Sequence, residues 1–451
     1  MASTYLSGTQ STPTNAKKWT ISYWAKYNLT NGNWYPTFGC DYDNGDSYFG
    51  IGSGGEGRNE IGFIEYHTSA TNYGQGYTTS SLRDPSAWYH IVFAYDSTQS
   101  TASDRGKTYI NGVQQTNIYS TNIPQNHDSR FNMSGSVISI GRRSAGSGQY
   151  MDGLLSHFHF IDGTAYSPSD FGETDSTTGI WKPKTAPSVT YGTNGFFLKF
   201  ENSGSMGTDS SGNANNFTVN GTCTQTIDTP SNVFATLNPL INFQNSSSYS
   251  NGNNTVTGGG AGSGDSPSST LAVSSGKYYC EVKIISTDAG GEAVGIIDIN
   301  KWNTYANADE WFYRYTYGYG YANANGQKYN NNSGSAYGDS YTNGDIVGIA
   351  VDLDNNYLYF SKNGVWQNSG DPTSGASGTG SAFNIDSGNY VFSFYHYYSH
   401  VLNTNFGNGY FGTTAVSSAQ NPDDGIGIFE YDVPTGYRAL CTKSINAEEY
   451  S

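Results

Sequence analysis

The sequence predicts an all-β protein made of two antiparallel, jelly-roll-like β-sandwiches in tandem. Charged residues are only 13% of the 451 residues, about half the usual share, whereas Gly (57) and Tyr (38) are unusually frequent. Such a composition favours strands and turns over helices. Apolar residues alternate with polar ones, and no apolar stripe of helical period appears. Finally, the stretches "KTYINGVQQ" and "LYFSKNGVW" carry the same hairpin signature.

Both stretches place an Asn-Gly pair between alternating residues, Asn111-Gly112 in the first and Asn363-Gly364 in the second. Asn-Gly is the pair that most readily adopts the positive φ angles of a two-residue hairpin turn. The flanking sequences differ, so the similarity predicts two different domains rather than one repeated unit.

The first half opens with "KWTISYWAKYNL", in which Trp19, Ile21 and Tyr23 alternate with polar residues and Trp24. This pattern predicts a strand with one fully buried face. The segments "IGFIEYH", "WYHIVFAY", "KTYI", "SVISIG" and "MDGLLSHFHFID" predict further strands, separated by turn signals at short intervals. That spacing is typical of a two-sheet sandwich.

In this half, "WYHIVFAYDSTQSTASDRGKTYINGVQ" and "GLLSHFHFIDGTAYSPSDFG" resemble the laminin-G-like, concanavalin-A-like lectin/glucanase fold. The resembling version is common in structural proteins of marine tailed phages, and "GETDSTTGIWKPK" through "NNFTVNG" looks like its usual continuation. The resemblance covers residues 1–225. The sequence leaves open whether the segment "NGFFLKF" pairs with this domain or with the next.

The stretch "NFQNSSSYSNGNNTVTGGGAGSGDSPSSTL" then has the composition of a linker or a long surface loop. Beyond it, the segments "GKYYCEVKII", "GDIVG", "DLDNNYLYFSKNG" and "NFG" follow the order of a SPRY domain, which they resemble. We therefore predict a SPRY domain over residues 226–451, including the preceding linker and a closing strand in "FEYDVPTGYRALCTKSIN".

The charge balance argues against two classes of partner. The net charge is −16 and no Lys/Arg cluster interrupts it, so we expect neither nucleic acid nor an anionic membrane as partner. We also expect no signal peptide and no membrane span. The cysteines are far apart, which indicates buried, reduced thiols rather than a zinc site, with a disulfide between distant residues as the alternative; they are Cys40, Cys223, Cys280 and Cys441.

We predict no catalytic residues. Related glucanases use an E-x-D-x-x-E strand, but "EIGFIE" places Gly62 between Glu60 and Glu65 where the middle carboxylate would stand. The histidines lie in aromatic strand contexts without a nucleophile signature, which favours packing roles for the two pairs His157/His159 and His396/His400.

A calcium site is one interpretation of "GTDSSGNANN", and a plain turn is the other. Asp209, Ser211 and Asn213 present oxygen atoms at alternate positions, an arrangement suited to a hard cation. Laminin-G-like domains often hold such an ion at a loop rim. Ca²⁺ is therefore the one cofactor that the sequence suggests.

Aromatic residues are concentrated between Lys301 and Tyr321. As a strand, "WFYRYTYGYGY" would place six aromatic rings on one face, either for a ligand or for packing within an assembly. We predict a binding surface formed by Trp302, Tyr305, Trp311 and Tyr313. On this hypothesis Trp311→Ala weakens binding and leaves the melting temperature nearly unchanged.

Taken with the phage-like segments, the two resemblances imply a non-enzymatic virion protein, such as a tail fibre, a head fibre or a capsid decoration. It would be made in the bacterial cytoplasm and would bind other virion proteins or a host-surface glycan, as a homo-oligomer. A host-polysaccharide depolymerase and a cellular SPRY adaptor are the alternatives.

Overall fold

The computed structural model describes residues 4–29, 35–42, 45–52, 59–66, 72–143, 148–176, 179–241, 247–259, 264–287, 291–301 and 311–449. The chain divides into two compact units, Met1–Gln225 and Thr226–Ser451. Sheets of antiparallel strands build both units, and the short strand β33 (Arg438–Ala439) adds one parallel pairing, to β20 (Lys277–Ser286). The predicted all-β fold with tandem sandwiches is therefore confirmed.

The N-terminal unit is a sandwich of two main sheets. One sheet has the strand order β10-β6-β5-β4-β3-β11-β1-β16 and the other β15-β12-β2-β7-β8-β9, while β13 and β14 form a separate hairpin. The strands are β1 (Tyr5–Thr9), β2 (Lys18–Tyr27), β3 (Tyr35–Tyr42), β4 (Gly45–Gly52), β5 (Glu60–Tyr66), β6 (Asn72–Ser81), β7 (Tyr89–Asp96), β8 (Gly106–Ile110), β9 (Val113–Gln114), β10 (Asn117–Thr121), β11 (Val137–Ile140), β12 (Gly153–Asp162), β13 (Gly172–Thr174), β14 (Trp181–Pro183), β15 (Phe196–Leu198) and β16 (Thr218–Asn220).

The segment after residue 190 belongs to this unit. Phe196–Leu198 pairs with β12, and Thr218–Asn220 pairs with β1. The assignment of "NGFFLKF", which the sequence left open, is therefore to the N-terminal sandwich.

Strand β2 is buried on both faces, not on one as its alternation predicted. On the inner face, Trp19 stacks on Tyr95 with ring centroids 5.2 Å apart. On the outer face, Trp24 stacks on His90 at 4.9 Å, and the indole N–H of Trp181 donates to Nδ1 of His90 over 2.9 Å. The β13–β14 hairpin, which carries Trp181, thus covers a face that the local pattern would leave to solvent.

The C-terminal unit is a second sandwich. Its strands are β17 (Ser248–Ser250), β18 (Thr255–Thr257), β19 (Gly264–Asp265), β20 (Lys277–Ser286), β21 (Glu292–Asp298), β22 (Gly318–Ala322), β23 (Gln327–Asn330), β24 (Ser333–Ala336), β25 (Ile346–Asp352), β26 (Tyr357–Lys362), β27 (Val365–Trp366), β28 (Phe383–Asn384), β29 (Tyr390–Tyr397), β30 (Val401–Asn405), β31 (Tyr410–Phe411), β32 (Thr414–Ala415) and β33 (Arg438–Ala439). One sheet follows β17-β18-β30-β20-β25-β26-β27, with β28 on β26 and β33 on β20; the other follows β19-β29-β21-β22-β23-β24.

Helical structure is scarce in the described ranges, as the composition predicts. One α-helix, α1 (Thr442–Glu449), follows the last strand. The remaining helical segments are single 3₁₀ turns at Ala102–Asp104, Arg130–Asn132, Pro168–Asp170, Phe312–Arg314, Gln367–Ser369 and Gly375–Ser377. No helix within the described residues is long and apolar enough to cross a membrane.

Both predicted Asn-Gly hairpins are present. Asn111 and Gly112 have φ angles of 49° and 81°, and Asn363 and Gly364 have φ angles of 48° and 80°. Each turn joins adjacent antiparallel strands, β8 to β9 and β26 to β27. The first hairpin lies in the N-terminal sandwich and the second in the C-terminal one, so two different domains use the same turn.

The polar stretch before the second domain is not a free linker over its described residues. Strands β17 and β18 form a hairpin that pairs with β30, and β19 pairs with β29. Val256 and Asn253, at 0% and 1% exposure, belong to the interior of the C-terminal unit. Composition suggested a linker because the hairpin contributes few apolar side chains, and main-chain pairing does not depend on them.

The chain after residue 417 covers the outer face of the β20–β25–β26 sheet. Phe429 and Tyr437 pack there, with Phe429 edge-on to Tyr279 at 5.0 Å. The buried carboxylate of Glu281 accepts the main-chain N–H groups of Glu430 and Tyr431, each over 2.9 Å. Glu281 thereby fastens this C-terminal segment, residues 417–441, to the sheet.

Candidate binding site

The aromatic run from Trp311 to Tyr321 is not one strand. Phe312–Arg314 forms a 3₁₀ turn, and strand β22 begins only at Gly318. The expectation of six aromatic rings on one strand face is therefore wrong. Of the four predicted binding residues, Trp302 and Tyr305 lie outside the described residues, and Trp311 and Tyr313 lie on the outer face of the β29–β21–β22–β23 sheet.

The alternation of glycine and tyrosine in β22 explains how the rings divide between two layers. Tyr319 and Tyr321 point into the core between the sheets, with 4% and 0% exposure. Gly320 leaves a gap on the opposite face, where a Cβ atom would lie 2.9 Å from the ring of Tyr313 and 3.2 Å from that of Phe312. The glycine is needed because it lets the 3₁₀ turn lie directly on the sheet.

Trp311 is the most exposed aromatic ring at this outer surface among the described residues. Its side chain is 37% exposed, whereas Tyr313 is 7% and Tyr395 is 3% exposed. The Trp311 ring lies 5.5 Å from Tyr313 and 5.7 Å from Tyr395, and Tyr313 lies 5.3 Å from Tyr329. The two described residues of the predicted surface therefore differ: Tyr313 is buried and supports the Trp311 ring, whereas Trp311 is exposed to solvent. A partly exposed indole on a rigid aromatic base can stack on a sugar ring or enter an apolar pocket of a protein.

The inner tyrosines satisfy their hydroxyl groups locally. Tyr321 donates to the carbonyl oxygen of Asp339, and Tyr341 donates to the carbonyl oxygen of Tyr321 over 2.8 Å. Tyr390 donates to the carbonyl oxygen of Asp386 over 2.7 Å. These hydrogen bonds satisfy three of the hydroxyl groups in the tyrosine-rich core.

The proposed calcium residues form a closed hydrogen-bonded loop. One carboxylate oxygen of Asp209 accepts the N–H groups of Phe197 and Ser211, and the other accepts the Ser211 hydroxyl and the Asn215 N–H, over 2.8–2.9 Å. The Asn213 amide donates to two main-chain carbonyl groups. This geometry fits the turn interpretation and does not offer the Asp209 oxygens to an ion; calcium binding stays a prediction that a titration can test.

The Glu65 carboxylate of the glucanase-like strand is buried and hydrogen-bonded to a neighbouring loop. Glu65 is 1% exposed, and its oxygens accept the main-chain N–H of Arg130 over 2.8 Å and the Ser129 hydroxyl over 3.0 Å. His127 Nε2 lies 2.9 Å from the same carboxylate. Glu60, at the start of the strand, is paired with Ser81 of β6 on one side and with Gly52 of β4 on the other. The hydrogen bonds of Glu65 hold a loop against the sheet.

A buried polar network in the C-terminal unit escaped the sequence analysis. The Ser247 hydroxyl donates to Asp265 over 2.6 Å, and Nε2 of His396 lies 2.9 Å from the same hydroxyl oxygen. Burial lowers the pKa of His396 to about 4 and raises the pKa of Asp265. His400 Nδ1 lies 3.1 Å from the buried carboxylate of Glu292.

The Ser247 hydroxyl therefore lies between a carboxylate and an imidazole in a buried site. Sequence spacing could not reveal the cluster, since β19 and β29 bring Asp265 opposite His396 from distant parts of the chain. No group of three or more metal-binding side chains with suitable geometry occurs in the part of the chain described above.

Comparisons with known proteins agree with the two sandwiches. Residues 2–170 match the family described as the concanavalin A-like lectin/glucanases superfamily, and residues 277–408 match the SPRY domain. No curated protein matches the chain.

Solved structures with detectable similarity include the SPRY domain of human HERC1, at 20% identity and a TM-score of 0.30, covering 37% of this chain and 96% of that one. A native heptameric SAP-like pentraxin from Limulus polyphemus has 18% identity and a TM-score of 0.27, covering 37% of this chain and 73% of that one. The family matches, which fall in separate units, support one conclusion: the chain carries a concanavalin A-like domain in its N-terminal unit and a SPRY domain in its C-terminal unit.

Proposed function

We propose that this chain is a non-enzymatic recognition protein of a tailed-phage virion, mounted as a tail fibre, a head fibre or a capsid decoration. Its two domains are of binding types, which supports recognition rather than turnover. The virion setting rests on the resemblance of "GETDSTTGIWKPK" through "NNFTVNG" to segments of marine phage structural proteins. The protein would be made in the bacterial cytoplasm and assembled onto the particle.

The observation that carries the recognition role is the partly exposed Trp311 on its base of buried tyrosines. Tyr313 and Tyr395 hold the indole in place, so little side-chain entropy is lost when a partner covers it. The partner is a host-surface glycan or another virion protein. Both offer faces that an indole can contact, an apolar sugar face in one case and an apolar pocket in the other.

The presence and position of the protein in the virion are tested by quantitative mass spectrometry of purified particles and by antibody labelling in the electron microscope. We expect a fixed copy number per particle and labelling at one structural position. Absence of the chain from particles that are free of cell debris would contradict the virion assignment and would favour a cellular SPRY adaptor.

Recognition and turnover are separated by a reducing-sugar assay on host polysaccharide. We expect binding of the purified chain to host cells without release of reducing ends. Sustained release, abolished both by Glu60→Gln and by Glu65→Gln, would instead identify a depolymerase. Glu173→Gln is the control, because Glu173 is an exposed residue of β13, outside the glucanase-like strand.

A further inference from the structure

The open edge of the SPRY-unit sheet is formed by strand β24, Ser333–Ala336. It is the last strand in the order β19-β29-β21-β22-β23-β24 and pairs with β23 without a register shift. All of its residues are exposed. Across the residues that the structure describes, β23 is the strand with which β24 forms hydrogen bonds, so its second edge faces solvent.

This edge lacks the features that usually protect sheet edges from pairing. Natural edge strands carry a bulge, a proline or charged side chains, or they are covered by other parts of the chain. Strand β10 in the N-terminal unit has a register shift, and the opposite edge strand β19 is buried. Residues 327–338 contain neither proline nor an acidic residue, and the ammonium group of Lys328 is bound to the carbonyl oxygen of Ala382.

The hairpin geometry shows which main-chain groups of β24 point outward. Asn331 and Asn332 have φ angles of 50° and 56°, as in a two-residue turn of type I′. In such a hairpin the flanking pair, Asn330 and Ser333, is hydrogen-bonded, and the pairs then alternate along the ladder. The N–H and C=O groups of Gly334 and Ala336 therefore point away from β23.

We propose that β24 pairs with β24 of a second copy of this chain, antiparallel and about a two-fold axis. Only one register pairs the outward N–H and C=O groups of Gly334 and Ala336 on both copies at once. In that register Gly334 of each copy faces Ala336 of the other. Ser335 then lies on the axis, opposite Ser335 of the second copy. The two SPRY-unit sheets join into one continuous sheet across the axis.

Two features let a second copy occupy this edge. The net charge of −16 opposes association of two copies, but residues 327–338 contain no acidic side chain, so pairing at this edge adds little local repulsion. The side chains along the edge are also small enough to face themselves, because they are Ser, Gly and Ala. On the outer face, the ring of Tyr329 lies over Gly334, so two-fold pairing brings the two Tyr329 rings toward the joined edges.

The register gives a sharp test by disulfide trapping in the full-length chain. Residues in a non-hydrogen-bonded antiparallel pair have Cα atoms about 4.5 Å apart, within the range of a disulfide. We expect Ser335→Cys to form a covalent dimer in air and Ser333→Cys to remain monomeric on a non-reducing gel. Both variants are made with Cys223→Ser, because Cys223 is the native thiol that is not buried.

A second pair of variants tests the edge without a cross-link. Ala336→Pro removes an outward N–H, and Ala415→Pro is the matched control, since Ala415 is an exposed residue of β32 whose N–H also points away from its partner strand. By light scattering over a wide concentration range, we expect dimers of the wild type and of Ala415→Pro, and monomers of Ala336→Pro. The melting temperature of Ala336→Pro should equal that of wild type diluted to its monomeric state, because dimerisation stabilises the folded chain.

A monomeric wild type at all concentrations would overturn the proposal, as would equal trapping of the two cysteine variants. A dimer that survives Ala336→Pro would place the interface elsewhere and would also overturn it. These outcomes leave the virion assignment untouched, because particle composition is measured separately.

Discussion

Replacing Trp311 with alanine tests the binding surface most directly. Truncating a fully buried tryptophan costs about 3–5 kcal/mol. Trp311 is 37% exposed and makes its ring contacts with Tyr313 and Tyr395, so we expect a loss of about 2 kcal/mol in the free energy of unfolding. For a unit of this size that lowers the melting temperature by about 4–8 °C. The partial burial thus replaces the expectation of an unchanged melt.

The loss of binding free energy in Trp311→Ala should be similar in size to its loss of stability, but a control tryptophan variant should not show it. An aromatic residue at the centre of an interface typically contributes about 2 kcal/mol or more, which corresponds to about thirtyfold weaker binding. Binding is measured with the labelled full-length chain on host cells and on purified virions. Trp366→Ala is the matched control, because Trp366 is also partly buried in the SPRY unit but packs against Tyr279 on the other sheet.

We expect Trp311→Ala and Trp366→Ala to melt at similar temperatures and only the former to bind weakly. Tyr313→Ala should cost about 3–5 kcal/mol in stability, because that ring is buried. Equal binding by Trp311→Ala and Trp366→Ala would refute the reasoning.

Three further predictions concern stability. Burial raises the pKa of Glu281 to about 7, above its value in the unfolded chain. The protonated side chain therefore stabilises the folded state fully below about pH 4.5, and this stabilisation is lost as the pH rises through 7. Between pH 5 and pH 8, the wild type should lose melting temperature relative to Glu281→Gln, and a difference that does not change with pH would contradict this. Residues 1–225 and 226–451 should each fold when expressed alone, as circular dichroism and a cooperative melt would show, because each unit has its own core; two unfolded halves would refute this. Asp209→Ala should cost about 1–3 kcal/mol even in EDTA, because its hydrogen-bond donors lose their acceptor; a calcium-dependent rise in the wild-type melting temperature that Asp209→Asn abolishes would instead establish a metal site.

Local signals in the sequence were sufficient for the turns and most of the strands. The turn at Asn111-Gly112 could be predicted because its φ angles depend on two adjacent residues. The double burial of β2 could not, because the covering residue Trp181 comes from a hairpin far along the chain. Periodicity reports whether one face is apolar, but it does not report what another segment places on the opposite face.

The candidate site was predicted in part for the same reason. Aromatic density predicts a binding surface in the segment around Trp311, and the structure shows that its rings divide between two layers because of Gly318 and Gly320. The alternation of tyrosine with glycine predicts one continuous strand from Trp311 to Tyr321. In the structure the chain instead turns at Phe312–Arg314 and packs onto the gap that the glycines leave. The network of Ser247, Asp265 and His396 depends on strand pairing and has no local signature.

The two aromatic layers of the SPRY-unit sheet also differ in how freely they can evolve. Tyr319 and Tyr321 are constrained by the interior, where any change of volume disturbs many neighbours. The residues before Gly318 pack on the outside of the sheet, where positions 318 and 320 must keep no side chain because a Cβ atom at either position would meet Phe312 or Tyr313. Related proteins could therefore exchange the exposed ring at position 311 and acquire a new ligand while the sandwich beneath remains unchanged. Such a layout suits a recognition protein whose binding partner changes during evolution.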